Sequence, residues 1–95
     1  MNTKKIISPA QKVHWAVEQN CILVVNEPRN EVFRLTGMEQ TIWECLVLGC
    51  SHQKVRYFIA AMGKLDLNAA DQEIHAILAK WHRLNLVEIE EAALG

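Results

Sequence analysis

The feature that most constrains the fold of this 95-residue chain is a single change in the spacing of its hydrophobic residues, near Leu35. Before that residue, apolar positions alternate with polar ones, as in β-strands. After it, they recur every three or four residues, as in α-helices. A strand region followed by a helical region predicts an α+β domain. The chain is long enough for one such domain and too short for two.

Three strands are predicted, and short turns join them. Val13, Trp15 and Val17 alternate with polar or small residues, which indicates a half-buried strand. Residues 21–25 are apolar on both faces, which is typical of a central strand. Residues 31–35 form the third strand after a loop that contains Pro28. Strands joined by such short loops pair as an antiparallel meander.

Three helices are predicted to follow the strands. Thr36 and Glu39 have the spacing of a capping box, Ser51 is placed to cap the second helix, and Asn68 is placed to cap the third. The predicted fold is therefore α+β and winged helix-turn-helix-like, a three-stranded antiparallel sheet followed by three helices. We expect a flexible N-terminal segment at 1–12, a single domain at 13–90 and a frayed C-terminus at 91–95.

Composition narrows the classes of function. Ten basic and eleven acidic residues give a net charge of -1, which does not favour binding to phosphate backbones. The apolar runs are too short to span a bilayer, so we expect no membrane partner. Three cysteines without a Cys-x-x-Cys pair fit reduced thiols, and hence a cytoplasmic protein.

We find no motif for catalysis, a cofactor or a metal. The chain has no nucleophile elbow, phosphate loop or dinucleotide fingerprint. A Cys/His nucleophile pair stays open, although Cys45 on the core stripe fits a small buried hydrophobic residue. His75 and His82 are seven residues apart, a poorer spacing for zinc than i and i+4. We therefore expect no enzyme activity, no cofactor and no metal site.

Two binding functions remain, together with a purely structural role as a subunit of a larger protein. A winged-helix DNA-binding regulator is the alternative: Lys54, Arg56 and Lys64 form a basic cluster, but the third helix begins with Asp71 and Glu73. The other binding function is capture of an extended peptide at the edge of the meander. Residues 31–35 are the expected edge strand. An exposed edge also makes a homodimer a plausible state.

Several short stretches, in order and spacing, resemble the PqqD-like family, the recognition elements that bind precursor peptides of ribosomally made, modified peptides (RiPPs). The similarity covers about residues 15–89. The matching stretches are Val32-Phe33-Arg34-Leu35-Thr36-Gly37, Ile42-Trp43-Glu44-x-Leu46, Gly49-x-Ser51, Ile74-x-x-Ile77-Leu78-x-x-Trp81 and Asn85-Leu86-Val87.

The resemblance implies a function. Such domains bind the leader segment of a precursor peptide as a strand added to the third strand, and present the peptide to a modifying enzyme, often a radical SAM protein. The leader lies in a cleft against the third helix. Carried onto this sequence, the peptide-binding residues are Glu31, Val32, Phe33, Arg34 and Leu35 on the strand, and Ile74, His75, Leu78, Trp81 and His82 on the helix.

The resemblance is to the general class rather than to one pathway. Members that serve pyrroloquinoline quinone synthesis usually carry a Leu-Leu-x-Pro-Glu-like stretch before the third strand. Residues 22–28 here read Ile-Leu-Val-Val-Asn-Glu-Pro. We therefore expect a peptide chaperone in the biosynthesis of a modified peptide, and not specifically in that of the quinone.

Overall fold

The computed structural model describes residues 3–93. Within this range, four strands precede three helices, and a fifth strand follows them. The elements are β1 (Thr3–Pro9), β2 (Val13–Val17), β3 (Ile22–Asn26), β4 (Glu31–Leu35), α1 (Met38–Leu48), α2 (His52–Gly63), α3 (Leu67–Arg83) and β5 (Val87–Ala93).

The predicted meander is present. β2, β3 and β4 form an antiparallel sheet in that order, with the apolar β3 in the centre. In register, Trp15 lies opposite Val24, and Val24 lies opposite Phe33, on the face that packs against the helices. The other face carries the exposed side chains of Val32 and Arg34, so the sheet is covered on one side.

The core lies between the sheet and the helices. Its largest fully buried side chains are two tryptophans, Trp43 of α1 and Trp81 of α3. Trp43 packs edge-to-face against both other tryptophans, at 5.6 Å from Trp15 and 5.3 Å from Trp81 between ring centroids. β2, α1 and α3 therefore meet at one aromatic contact, which fixes α3 relative to the sheet.

The prediction of a flexible segment at 1–12 was wrong where the structure describes it. Residues 3–9 form β1, which pairs antiparallel with β5 from Thr3 opposite Ala93 to Pro9 opposite Val87. The expected frayed end at 91–95 is likewise ordered to Ala93, and residues 94–95 lie outside the described part. Strand β1 and its pairing with β5 were not predicted, because each strand needs a partner from the opposite end of the chain.

Helix boundaries follow the sequence where a local motif decides them. Ser51 caps α2 by accepting a hydrogen bond from the Lys54 N–H, as predicted. The capping box at Thr36 is absent, because Gly37 is the N-cap of α1 and Glu39 forms an ion pair elsewhere. Asp66 rather than Asn68 caps α3, accepting from the Ala69 N–H at 2.8 Å.

Candidate functional site

Strand β4 is an edge of the sheet, and the hydrogen-bond pattern shows which of its backbone groups are free to pair. The Glu18 N–H donates to the Cys21 carbonyl at 2.9 Å, so odd-numbered residues of β3 face β2. Even-numbered residues of β3 then face β4, because successive backbone groups alternate between the two neighbours. Their partners in register are Glu31, Phe33 and Leu35. The N–H and C=O groups of Val32 and Arg34 therefore point to the open edge.

The side chains of β4 alternate between the two faces of the sheet. Val32 is 64% exposed and Arg34 is exposed, both on the outer face of the sheet. Phe33 is half-buried against the core, and Leu35 is buried. A strand added here would place alternate side chains beside Val32 and Arg34, and the others beside Phe33.

One flank of α3 is occupied by α2. The Asp71 carboxylate accepts hydrogen bonds from the Arg56 guanidinium and pairs with His52, each at 3.0 Å. The His75 ring lies 6.0 Å from that of His52. His82 follows His75 by about two helical turns, so it shares this flank. The predicted residues His75 and His82 thus lie on the α2 side of α3.

The other flank of α3 faces the sheet and the start of α1. The Lys80 ammonium pairs with the Glu39 carboxylate, in the first turn of the helix that follows β4. The buried Asn26 amide donates to the Leu84 carbonyl at 3.1 Å. Asn26 lies opposite Glu31, the first residue of β4. The start of β4 is therefore close to Leu84, and the helix that follows its end is joined to Lys80. Half-buried Ile77 lies about one turn before Lys80 and about two turns before Leu84, so it shares this flank.

Two of the predicted helix residues lie in the core. Ile74 and Trp81 are each 1% exposed and belong to the core, so their side chains present no surface for a ligand. Leu78 is half-buried against the same core. Sequence reasoning did not bring Glu39 and Lys80 together, since nothing local predicts an ion pair between residues 41 positions apart.

The Asp71 network predicts an acid-sensitive contact between α2 and α3. The Arg56 hydrogen bond, with a smaller contribution from His52, holds the pKa of Asp71 below its usual value. A carboxylate with a lowered folded-state pKa stabilises the fold above its unfolded pKa, and this stabilisation is lost as the pH falls through the folded-state value. Below about pH 4 we therefore expect wild type to lose more stability than Asp71→Asn.

Urea unfolding of both proteins between pH 7 and pH 2.5 measures this difference. Glu73→Gln is the matched control, an exposed acidic residue of the same helix. Its acid-dependent loss should follow that of wild type. Parallel pH profiles for wild type and Asp71→Asn would show that the network does not contribute.

The environment of Cys45 disfavours its thiolate form. Burial, together with the neighbouring Cys50 thiol, raises the pKa of Cys45 to about 11. At neutral pH Cys45 is therefore a protonated thiol and a weak nucleophile. Within residues 3–93, no cluster of His, Cys, Asp or Glu side chains is placed to bind a metal ion. Over the same range, the helices are too short or too polar to cross a bilayer.

Comparison with solved structures finds a protein of the same fold. It is TbiB1 in complex with the TbiA(beta) leader peptide, with a TM-score of 0.78. The two chains share one fold. The match covers 85% of this chain and 94% of TbiB1, at 17% sequence identity. No protein-family model matches the sequence, and a search of curated proteins found no relative.

The shared fold confirms the predicted fold class, with its three-stranded antiparallel sheet followed by three helices. The fold is the one that the resemblance to PqqD-like recognition elements implies. At this sequence identity the likeness is one of fold, so the roles of individual residues depend on the geometry of this chain.

Proposed function

We propose that this protein binds the leader segment of a ribosomally made precursor peptide, which adds as a strand to β4. The observation that carries the proposal is the shared fold with TbiB1, whose solved structure contains a leader peptide. The open edge at Val32 and Arg34 supports it, because both residues direct backbone donors and acceptors away from the sheet.

The side chains near this edge have mixed character. Phe33 and Ile77 are half-buried apolar side chains, and the Glu39–Lys80 ion pair lies near the end of β4. A leader that fits would place an apolar side chain toward Phe33, and its neighbours along the strand toward the outer face. There Arg34 offers a charge-assisted hydrogen bond to an acidic residue.

A leader-binding module without catalysis of its own acts by raising the effective concentration of the peptide at a partner enzyme. We propose that this partner is a modifying enzyme, with a radical SAM protein as the type that the resemblance implies, and that the encounter takes place in the cytoplasm.

Two experiments with the tagged protein test the proposal. Affinity capture from native lysate at moderate salt, followed by mass spectrometry, should recover a short precursor peptide or a modifying enzyme. A peptide array of the first 30 or so residues of every short open reading frame in the source genome covers precursors that are not expressed. Binding to none of these peptides would overturn the proposal. Recovery of DNA with a steep salt dependence would favour the winged-helix regulator.

Arg34→Glu tests the outer-face contact. We expect it to weaken binding of a leader with an acidic residue at that position about tenfold, since an attraction becomes a repulsion. Lys54→Glu, an exposed position on α2, makes the same charge change away from the edge and should bind as wild type. Equal affinities for all three proteins, by fluorescence anisotropy, would remove Arg34 from the site.

A further inference from the structure

The sheet has a second open edge at β2, and we propose that two copies of this chain pair through it, joining their three-stranded sheets into one. This dimer leaves β4 free in each copy. It is therefore independent of peptide binding, and its failure in a test would leave the proposed function standing.

The free backbone groups of β2 follow from the same hydrogen-bond pattern. The bond from the Glu18 N–H to Cys21 means that His14 and Ala16 also face β3. Val13, Trp15 and Val17 therefore face the open edge. The Val13 N–H already donates to the Ala10 carbonyl at 3.1 Å, but its carbonyl points outward. Trp15 is 39% exposed and Val17 is 66% exposed, so the edge also has unburied apolar surface.

An antiparallel pairing with a two-fold axis at Trp15 satisfies these groups. Trp15 lies opposite Trp15 of the second copy, and Val13 lies opposite Val17. All three residues face the open edge, so each pair can form ladder hydrogen bonds. The Trp15 N–H donates to Trp15 of the other copy, and the Val17 N–H donates to the Val13 carbonyl; symmetry repeats both bonds.

Charge complementarity favours a second copy of this chain at β2, paired in the register with Trp15 on the two-fold axis. In the two-fold pairing, Lys12 lies opposite Glu18, and His14 lies opposite Ala16. Lys12 and Glu18 are exposed and flank the strand, so each end of the dimer ladder joins opposite charges. The corresponding self-pairing of β4 about Phe33 has no such match, because it places Arg34 opposite Val32. A second copy therefore fits β2 better than it fits β4.

The surface beside β2 leaves room for the second copy. An open hollow of about 530 Å³ lies at the start of the strand, lined by Pro9, Ala10, Gln11, Val13, His14 and Trp15. In the two-fold pairing, Val17 of the second copy reaches this hollow next to Val13. The dimer thus covers apolar side chains that are exposed in the single chain.

Charge-reversal variants test the register. Their dimer affinity is measured by sedimentation equilibrium at micromolar to millimolar protein concentrations. Glu18→Lys or Lys12→Glu alone places like charges at both ends of the ladder, and we expect each to weaken dimerisation about tenfold. The double variant Lys12→Glu/Glu18→Lys restores opposite charges and should dimerise as wild type. Glu73→Lys, an exposed position on α3, makes the same charge change as Glu18→Lys and should have no effect.

Hydrogen exchange identifies the strand. The Trp15 and Val17 amides should become protected as protein concentration rises, whereas the Val32 and Arg34 amides should not. A chain that stays monomeric at millimolar concentration overturns the proposal. A dimer whose affinity is the same in all the charge variants also overturns it. So does a dimer in which the β4 amides become protected from exchange and the β2 amides do not.

Discussion

Replacing Trp43 with alanine is expected to lower the free energy of unfolding by about 3–5 kcal/mol, the usual cost of truncating a buried aromatic residue. Trp43 is fully buried and makes edge-to-face contacts with Trp15 and Trp81. Its loss removes the contact that holds β2, α1 and α3 together. Because small domains have only about 5–15 kcal/mol of stability in all, the variant should be marginally folded.

Trp15→Ala is the matched control, because it deletes the same side chain from the same aromatic contact. Trp15 is 39% exposed, so it buries less surface, and we expect a cost of about 1–2 kcal/mol. Urea unfolding followed by circular dichroism compares the two variants. Equal losses would show that the deeper burial of Trp43 and its contact with Trp81 of α3 add nothing beyond its contact with Trp15 of β2.

Replacing Val32 with proline is expected to reduce leader affinity by at least tenfold while leaving the fold in place. Proline removes an N–H that faces the open edge, and its ring occupies the line along which a new strand would pair. One lost ladder bond accounts for about 1 kcal/mol, and the steric block adds to it. The Val32 N–H does not donate to β3, so the sheet keeps its own ladder.

Val32→Thr provides the control at the same position. Threonine keeps the β-branched shape and the N–H, so it should bind the leader about as well as wild type. Phe33→Pro is the contrasting variant. It removes an N–H directed at Val24 of β3 and should destabilise the sheet itself. Wild-type affinity in Val32→Pro, with the unfolding midpoint unchanged, would contradict strand addition at this residue.

The two sheet edges allow a test of stoichiometry. Leader binding uses β4 and the proposed dimer uses β2, which lies at the opposite edge of the sheet. A dimer paired through β2 should therefore bind one leader per chain. Dissociation of the dimer on addition of leader would mean that both processes use the same edge.

Local features predicted much of the fold. The alternation in residues 13–35 and the three-to-four spacing after them identified three strands and three helices, since these periods follow from backbone geometry alone. The central position of β3 followed from its apolar residues on both faces. Ser51 was recognised as a cap because its partner lies only three residues away.

Features that depend on partners distant in sequence were missed. β1 and β5 satisfy each other's backbone groups across the length of the chain, and no local pattern in either strand shows which partner it takes. The Thr36 and Glu39 spacing suggested a capping box, yet Glu39 pairs with Lys80, which only the packing of α3 brings near. For the candidate site, too, the sequence predicted local features, and the tertiary structure decided the contacts between distant residues.

The sequence by itself determined the element order, the identity of β4 as a strand and the alternation of its side chains. Only the tertiary structure decided which residues direct backbone groups to the open edge, and which flank of α3 faces α2. Backbone directions depend on how three strands pair, and the orientation of α3 depends on contacts such as those of Asp71, Trp81 and Lys80. Such contacts join residues far apart in sequence, so a periodic pattern within one element carries no information about them.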